Sequence, residues 1–264
     1  MKLTYQISEV APYINWAYFY HAWGLSGKPE TEKRQLRNEA EALLRDMEGR
    51  HHTFALFEIM DANSEGDDII VDNVRIPMLR QQKPTQEDDS CLCLSDFIRP
   101  LSSGIKDQIG VFATTVDSSM EHEHKGDNYL QMMTQTLADR LAEATAEKMH
   151  EVVRKKYWGY APEEHLTMEQ LHQEEFQGIR PAVGYPSMPD TSVNFILSDL
   201  IGMKNIGITL TETGMMRPHA SVSGLMFAHP KARYFDLGTI GEDQLRDYAM
   251  RRGLPIELIR KYIK

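Results

Sequence analysis

Two stretches of the chain carry apolar residues at helical spacing strongly enough to predict long amphipathic helices. After Pro29-Glu30-Thr31-Glu32, the residues Leu36, Ala40, Leu43, Leu44 and Met47 recur every three or four positions. A longer stripe of Leu130, Met133, Leu137, Leu141, Ala142, Thr145, Met149 and Val153 predicts a helix from about Asp127 to Lys156, with Asp139, Arg140, Glu147 and Lys148 off the apolar face. Shorter helices are expected at Met168–Phe176, Val193–Ile201 and Glu242–Arg251, the last of these stopped by Gly253, with a final helix begun by Pro255. Strand-like runs at Phe54–Met60 and Ile69–Ile76 flank the polar segment Asp61–Asp68, which has the turn chemistry of a hairpin loop. Further strands are expected at Cys91–Leu94, Gln108–Val116, Gly207–Thr213, Ser221–Ala228 and Tyr234–Thr239. Helices and strands do not alternate regularly, which favours a mixed α+β fold over a doubly wound sheet. No internal repeat or low-complexity linker interrupts the pattern, so one domain over residues 1–264 is expected.

Composition narrows the function classes. A chain of 264 residues with 41% hydrophobic and 26% charged residues has the make-up of a globular protein with a full core. A formal charge of −10 argues against a nucleic-acid partner, which needs a concentrated basic surface. The basic clusters Arg154-Lys155-Lys156 and Arg251-Arg252 lie near predicted helix ends, where the helix dipole favours cations. No apolar run approaches the ~20 residues that span a bilayer, and the N-terminal sequence shows no secretory pattern, so no membrane role is expected. The two cysteines, Cys91 and Cys93, stand only two residues apart on one predicted strand and make no disulfide framework, which suits a reducing cytoplasm. The tract Glu121-His122-Glu123-His124 reads as a solvated surface turn, and no metal is assigned to it.

Candidate chemistry concentrates in one loop. Glycine-rich nucleotide motifs, H-E-x-x-H and G-x-S-x-G are all missing from the sequence, and no catalytic residue is assigned. The segment Gln177-Gly178-Ile179-Arg180-Pro181-Ala182-Val183-Gly184-Tyr185-Pro186 joins two rigidifying prolines to a glycine that permits close backbone approach. Arg180 offers a planar fork for a carboxylate, and Tyr185 an aromatic face with a polar tip. On residue chemistry alone, a structural loop and a ligand loop both remain open.

The segment resembles the R-x-x-x-G-Y consensus of the activation domain of cobalamin-dependent methionine synthase. The resemblance extends, in family order, through Tyr13-Ile14-Asn15-Trp16, Leu25-Ser26-Gly27-Lys28, Ala138-Asp139-Arg140-Leu141-Ala142-Glu143, Tyr157-Trp158-Gly159-Tyr160-Ala161-Pro162, Leu210-Thr211-Glu212 and Ala220-Ser221-Val222-Ser223-Gly224. His229-Pro230 with Arg233-Tyr234 completes the series. It implies a curved α+β domain with a twisted antiparallel sheet flanked by helices, and a cofactor role for S-adenosylmethionine (SAM). In the family, the domain docks over cobalamin and supports the reductive remethylation of cob(II)alamin, with an electron from a flavodoxin-like or flavoprotein donor.

Carried over position by position, the resemblance implies a SAM site of Asn15, Glu143, Arg180, Ala182, Gly184, Tyr185, Tyr234 and Phe235. Arg180 would hold the methionine carboxylate. Ala182, Gly184 and Tyr185 would act mainly through the backbone. Asn15 stands where the family has Asp, and Met216-Arg217-Pro218-His219 departs from a family M-W-P-G-like block. No D-x-H-x-x-G cobalamin-ligand motif is present, so cobalamin is expected from a cobalamin-binding methyltransferase acting in trans. The alternative expectation is a non-catalytic docking or sensor module of the same fold with weakened SAM binding.

Overall fold

The computed structural model describes residues 1–84 and 90–263. In chain order its elements are β1 (Lys2–Gln6), α1 (Ile7–Val10), α2 (Trp16–Ala22), α3 (Glu30–Met47), β2 (His52–Glu65), β3 (Asp68–Val71), β4 (Val74–Pro77), β5 (Asp107–Val116), α4 (Asn128–Val152), α5 (Met168–His172), α6 (Val193–Ile201), β6 (Thr209–Leu210), β7 (Met216–Arg217), β8 (Ser221–Met226), α7 (Glu242–Arg252) and α8 (Ile256–Tyr262). Short 3-10 turns join several of these, and a π-helical turn, Val153–Tyr157, ends α4.

The main sheet runs β4-β3-β2-β5-β8, with every strand pairing antiparallel. β2 is long enough to carry two neighbours end to end: β1 pairs with its first residues, Leu56 opposite Lys2, and β3 with its last, Ala62 opposite Val71. Period-two alternation then sends side chains into two cores. Ala55, Phe57, Phe112, Val222 and Met226 face α3 and α4, while Leu56, Val111, Ala113 and Leu225 face α6 and the turns around it. A smaller cluster beneath α7 and α8 gathers Leu79, Leu237, Tyr248 and Ile259. This is the expected α+β architecture with a curled antiparallel sheet.

α4 lies across the sheet because its inward face is small enough to come close. Ala138, Ala142, Ala144 and Ala146 are buried beside Leu137, Leu141 and Met149. Two threonines weld helix to sheet: Thr114 donates its hydroxyl to the Ala142 carbonyl at 3.0 Å, and Thr145 donates to Thr53 Oγ1 at 2.8 Å. Asp127 caps the start by accepting from the Leu130 amide at 3.0 Å.

Several expected elements differ. β2 continues through Asp61–Glu65, so the hairpin turn is only Gly66-Asp67; Ala62 and Ser64 are the inward positions of that polar-looking stretch. Ile69–Ile76 is not one strand, because Asp72 adopts a positive φ and turns β3 back as β4. Cys91–Leu94 supplies only an isolated bridge, Arg80 opposite Cys93, before a 3-10 turn at Leu94–Phe97. The helix begun at Met168 stops at His172, and Gly207–Thr213 shrinks to the two residues of β6. Tyr234–Thr239 is irregular: its backbone reaches a neighbour through the Leu237 amide and the Pro186 carbonyl, 3.3 Å, without forming a ladder.

Within the Arg154–Lys156 cluster Lys156 stays exposed while Arg154 does not. The π turn swings Arg154 inward, where it is fully buried, donates from Nε and Nη2 to Glu164 at 2.9 and 2.6 Å, and lies over the Phe176 ring. Arg251 pairs with Asp68 and with Asp247, and Arg252, its side chain 6% exposed, lies beside Asp190. The Glu121–His124 tract is pinned rather than solvated: Glu123 accepts from Arg50 at 2.9 Å and sits 2.6 Å from the buried His51. No helix among the described residues is long and apolar enough to cross a membrane.

Candidate functional site

The Arg180 segment is held as an extra edge on the main sheet. Ile179 and Phe227 exchange both backbone hydrogen bonds, the Leu225 amide donates to the Pro181 carbonyl at 3.1 Å, and the Val183 amide donates to the Ser223 carbonyl at 2.9 Å. In such antiparallel pairing alternate residues turn their polar groups the other way. Arg180 and Ala182 are those residues, so their amides face away from β8; the Arg180 amide donates to the Tyr234 hydroxyl at 2.9 Å. The close approach needs glycine on β8: a Cβ at Gly224 would lie 2.1 Å from the Pro181 oxygen. Gly184 then turns the chain at φ +89°, its amide donating to the Met188 carbonyl at 2.8 Å.

Opposite this edge, one face of α4 presents Arg140, Glu143, Ala144 and Glu147, positions i, i+3, i+4 and i+7. Between the two lies a cavity of about 630 Å³. Its remaining walls come from Tyr13, Asn15 and Tyr18 near α2, His172 and Glu174 around the end of α5, Val222 of β8, and the Tyr234-Phe235-Asp236 segment. Seven of the eight residues expected from sequence line it, namely Asn15, Glu143, Arg180, Ala182, Tyr185, Tyr234 and Phe235; Gly184 shapes the turn without reaching the lining.

Inside the cavity Arg180 is already paired. Arg180 Nη2 donates to Glu147 Oε2 at 2.7 Å, with both side chains nearly buried at 11% and 13% exposure. Burial alone would lower the Arg180 pKa, but Glu147, Tyr234 and Glu143 together push it the other way, so the net direction is up. The Tyr185 hydroxyl donates to Glu143 Oε1 at 2.5 Å; burial first, and then that carboxylate, push the phenol's pKa up. Tyr234 keeps 37% of its surface exposed, yet its hydroxyl end sits inward on the Arg180 amide, and burial raises its pKa to about 12. Burial also raises Glu174, which Arg180 partly counters. Behind the wall, His150 is completely buried, and burial followed by Arg154 and Arg180 drives its pKa well down, so it is neutral.

Asn15 serves the fold locally. Its side-chain oxygen caps α2 by accepting from the Ala17 amide at 3.1 Å. The divergent Met216–His219 block places His219 on the surface, 3.4 Å from Asp139 on α4. Arg140, Glu147 and Glu174 belong to the lining without having been singled out in sequence. Helical spacing from Glu143 was the available signal for the first two; Glu174 had none.

These features first define a class: an α+β domain in which a nearly buried arginine faces a row of carboxylates across an aromatic-edged cavity. The chain belongs to the family described as the vitamin B12-dependent methionine synthase activation domain, whose model matches residues 6–253. Among solved structures it is similar to the MetH reactivation domain bound to AdoHcy, with 35% sequence identity and a TM-score of 0.91 over 99% of this chain and 88% of that one.

Proposed function

We propose that the cavity binds SAM and that the chain supports reductive remethylation of cob(II)alamin on a cobalamin-binding methyltransferase partner. The observation that carries this reading is the convergence of Arg180, Glu143, Tyr185 and Tyr234 on one cavity of about 630 Å³, within the usual range for small-molecule sites. The donor set fits the ligand. Arg180 suits a carboxylate, while Glu143 and Glu174 suit the ammonium and sulfonium charges. Tyr185, Tyr234 and Phe235 offer faces to the adenine, and the outward backbone groups of Ala182 and its neighbours suit its ring nitrogens. The similarity to a domain bound to AdoHcy supports the same assignment.

When bound, SAM supplies the methyl group and leaves as S-adenosylhomocysteine, while a flavodoxin-like or flavoprotein donor supplies the electron. The chain's own residues bind, orient and neutralise; the difficult chemistry belongs to the cobalamin on the partner. A cytoplasmic setting fits this role. The test is reconstitution of a cobalamin-dependent methionine synthase module, poised as cob(II)alamin, with reductant, SAM and this chain. Methylated cobalamin seen by absorbance, with one S-adenosylhomocysteine per cobalamin and both requiring this chain, is expected. SAM binding without any remethylation would instead favour the docking or sensor module.

A further inference from the structure

We infer that Glu147 is the positioning residue of the cavity: it aims the Arg180 guanidinium so that the site selects ligands carrying a carboxylate. The inference rests on the SAM reading and adds to it a residue and a selectivity. Among the described residues Glu147 is the one ion-pair partner of Arg180, through a single Nη2–Oε2 hydrogen bond of 2.7 Å made from the α4 side. Nε is enclosed without a partner, and so is the second oxygen of Glu147, while Nη1 is not enclosed in this way and makes no hydrogen bond among the described residues. The carboxylate, itself part of the cavity lining, thus grips one corner of the fork and leaves the rest of it for a ligand. The other end of the residue is fixed as well, because its backbone amide is tied to Tyr234 and its flanking residues are paired to β8.

An arginine side chain has four rotatable bonds and loses considerable freedom when it is immobilised; a partner that holds it in advance removes that cost from ligand binding. Glu147 can do so because it sits one helical turn beyond Glu143, on an α4 face rigidly seated by Thr114 and Thr145. Arg180 provides the contact and Glu147 acts through it. Removing Glu147 therefore harms only ligands that use the guanidinium.

The experiment is calorimetric titration with SAM and with S-adenosyl-3-methylthiopropylamine, which is SAM without its carboxylate. Glu147→Ala is expected to weaken SAM about tenfold and to leave the decarboxylated analogue within about twofold. Glu147→Asp, which keeps the charge but retracts it by one methylene, shows the same ligand-selective loss and serves if the alanine variant folds poorly. Glu147→Gln retains an oxygen acceptor and restores SAM to within about threefold of wild type. In an Arg180→Ala background, Glu147→Ala changes SAM affinity no further. Equal weakening of both ligands, an additive effect in the Arg180→Ala background, or no loss for SAM in Glu147→Ala and Glu147→Asp would overturn the inference. Wild type that binds neither ligand overturns the SAM reading and this inference with it.

Discussion

Gly224→Ala tests whether the sheet itself positions the site. The new methyl would sit 2.1 Å from the Pro181 oxygen and 2.9 Å from both the Ala182 Cα and the Phe112 ring. Backbone lies on one side and a fully buried aromatic ring on the other, so the Ile179–Val183 edge must retreat by about 1 Å to restore ordinary contact. That retreat breaks the two hydrogen bonds now at 3.1 and 2.9 Å, Leu225 to Pro181 and Val183 to Ser223. Each is worth about 0.5–1.5 kcal/mol, and overpacking strain adds about 1–3 kcal/mol, so a loss of roughly 2–6 kcal/mol is expected. Urea unfolding measures the total, and hydrogen exchange at the Leu225 and Val183 amides localises it. Because Arg180 and Ala182 ride on the same edge, SAM affinity should fall by at least about tenfold. A stability change below about 0.5 kcal/mol with unaltered protection at those amides would refute the reasoning.

Two further substitutions probe charge. Asn15→Asp keeps the cap on α2 and adds a negative charge at a helix start, so stability should hold or rise while SAM tightens roughly ten- to hundredfold; unchanged affinity by calorimetry would remove Asn15 from the ligand's charge environment. His150 is neutral in the folded chain because burial lowers its pKa, whereas in the unfolded chain it titrates near its ordinary value of 6.5. Its contribution is complete above pH 6.5 and is lost as pH falls, with a slope of up to about 1.4 kcal/mol per pH unit. Denaturation at pH 7.5, 6 and 5 should therefore show the stability gap between wild type and His150→Gln shrinking with acidity; a constant gap would contradict the assignment.

What could be read from the chain follows from where its signals are local. α3 and α4 were legible because their buried faces repeat over many turns, as at Leu36, Ala40, Leu43 and Met47. The second half of β2 was not, because Asp61, Asn63 and Glu65 carry turn chemistry, while the inward positions are only Ala62 and Ser64, and Asn63 is satisfied by the distant carbonyls of Arg99 and Ile105. Tyr234–Thr239 failed in the opposite sense: its aromatic pattern suits a strand, but its neighbour is an irregular loop. Arg154 looked like a cation at a helix end, since the π turn that buries it and its partner Glu164 are set by tertiary packing. The candidate site was legible mainly through the ordered resemblance. Motif positions such as Arg180 and Tyr185 came with it, whereas Glu147 had only its helical spacing from Glu143 as a signal and Glu174 became visible only once the loop lay across from α4.

The most direct test of the account is calorimetric titration of the purified chain with SAM, beside Arg180→Ala. Saturable one-to-one binding that falls at least about tenfold in a folded Arg180→Ala variant is predicted, since the ligand carboxylate loses its charge partner. No binding by the wild type up to millimolar SAM, or binding that Arg180→Ala leaves untouched, would contradict the assignment of the cavity.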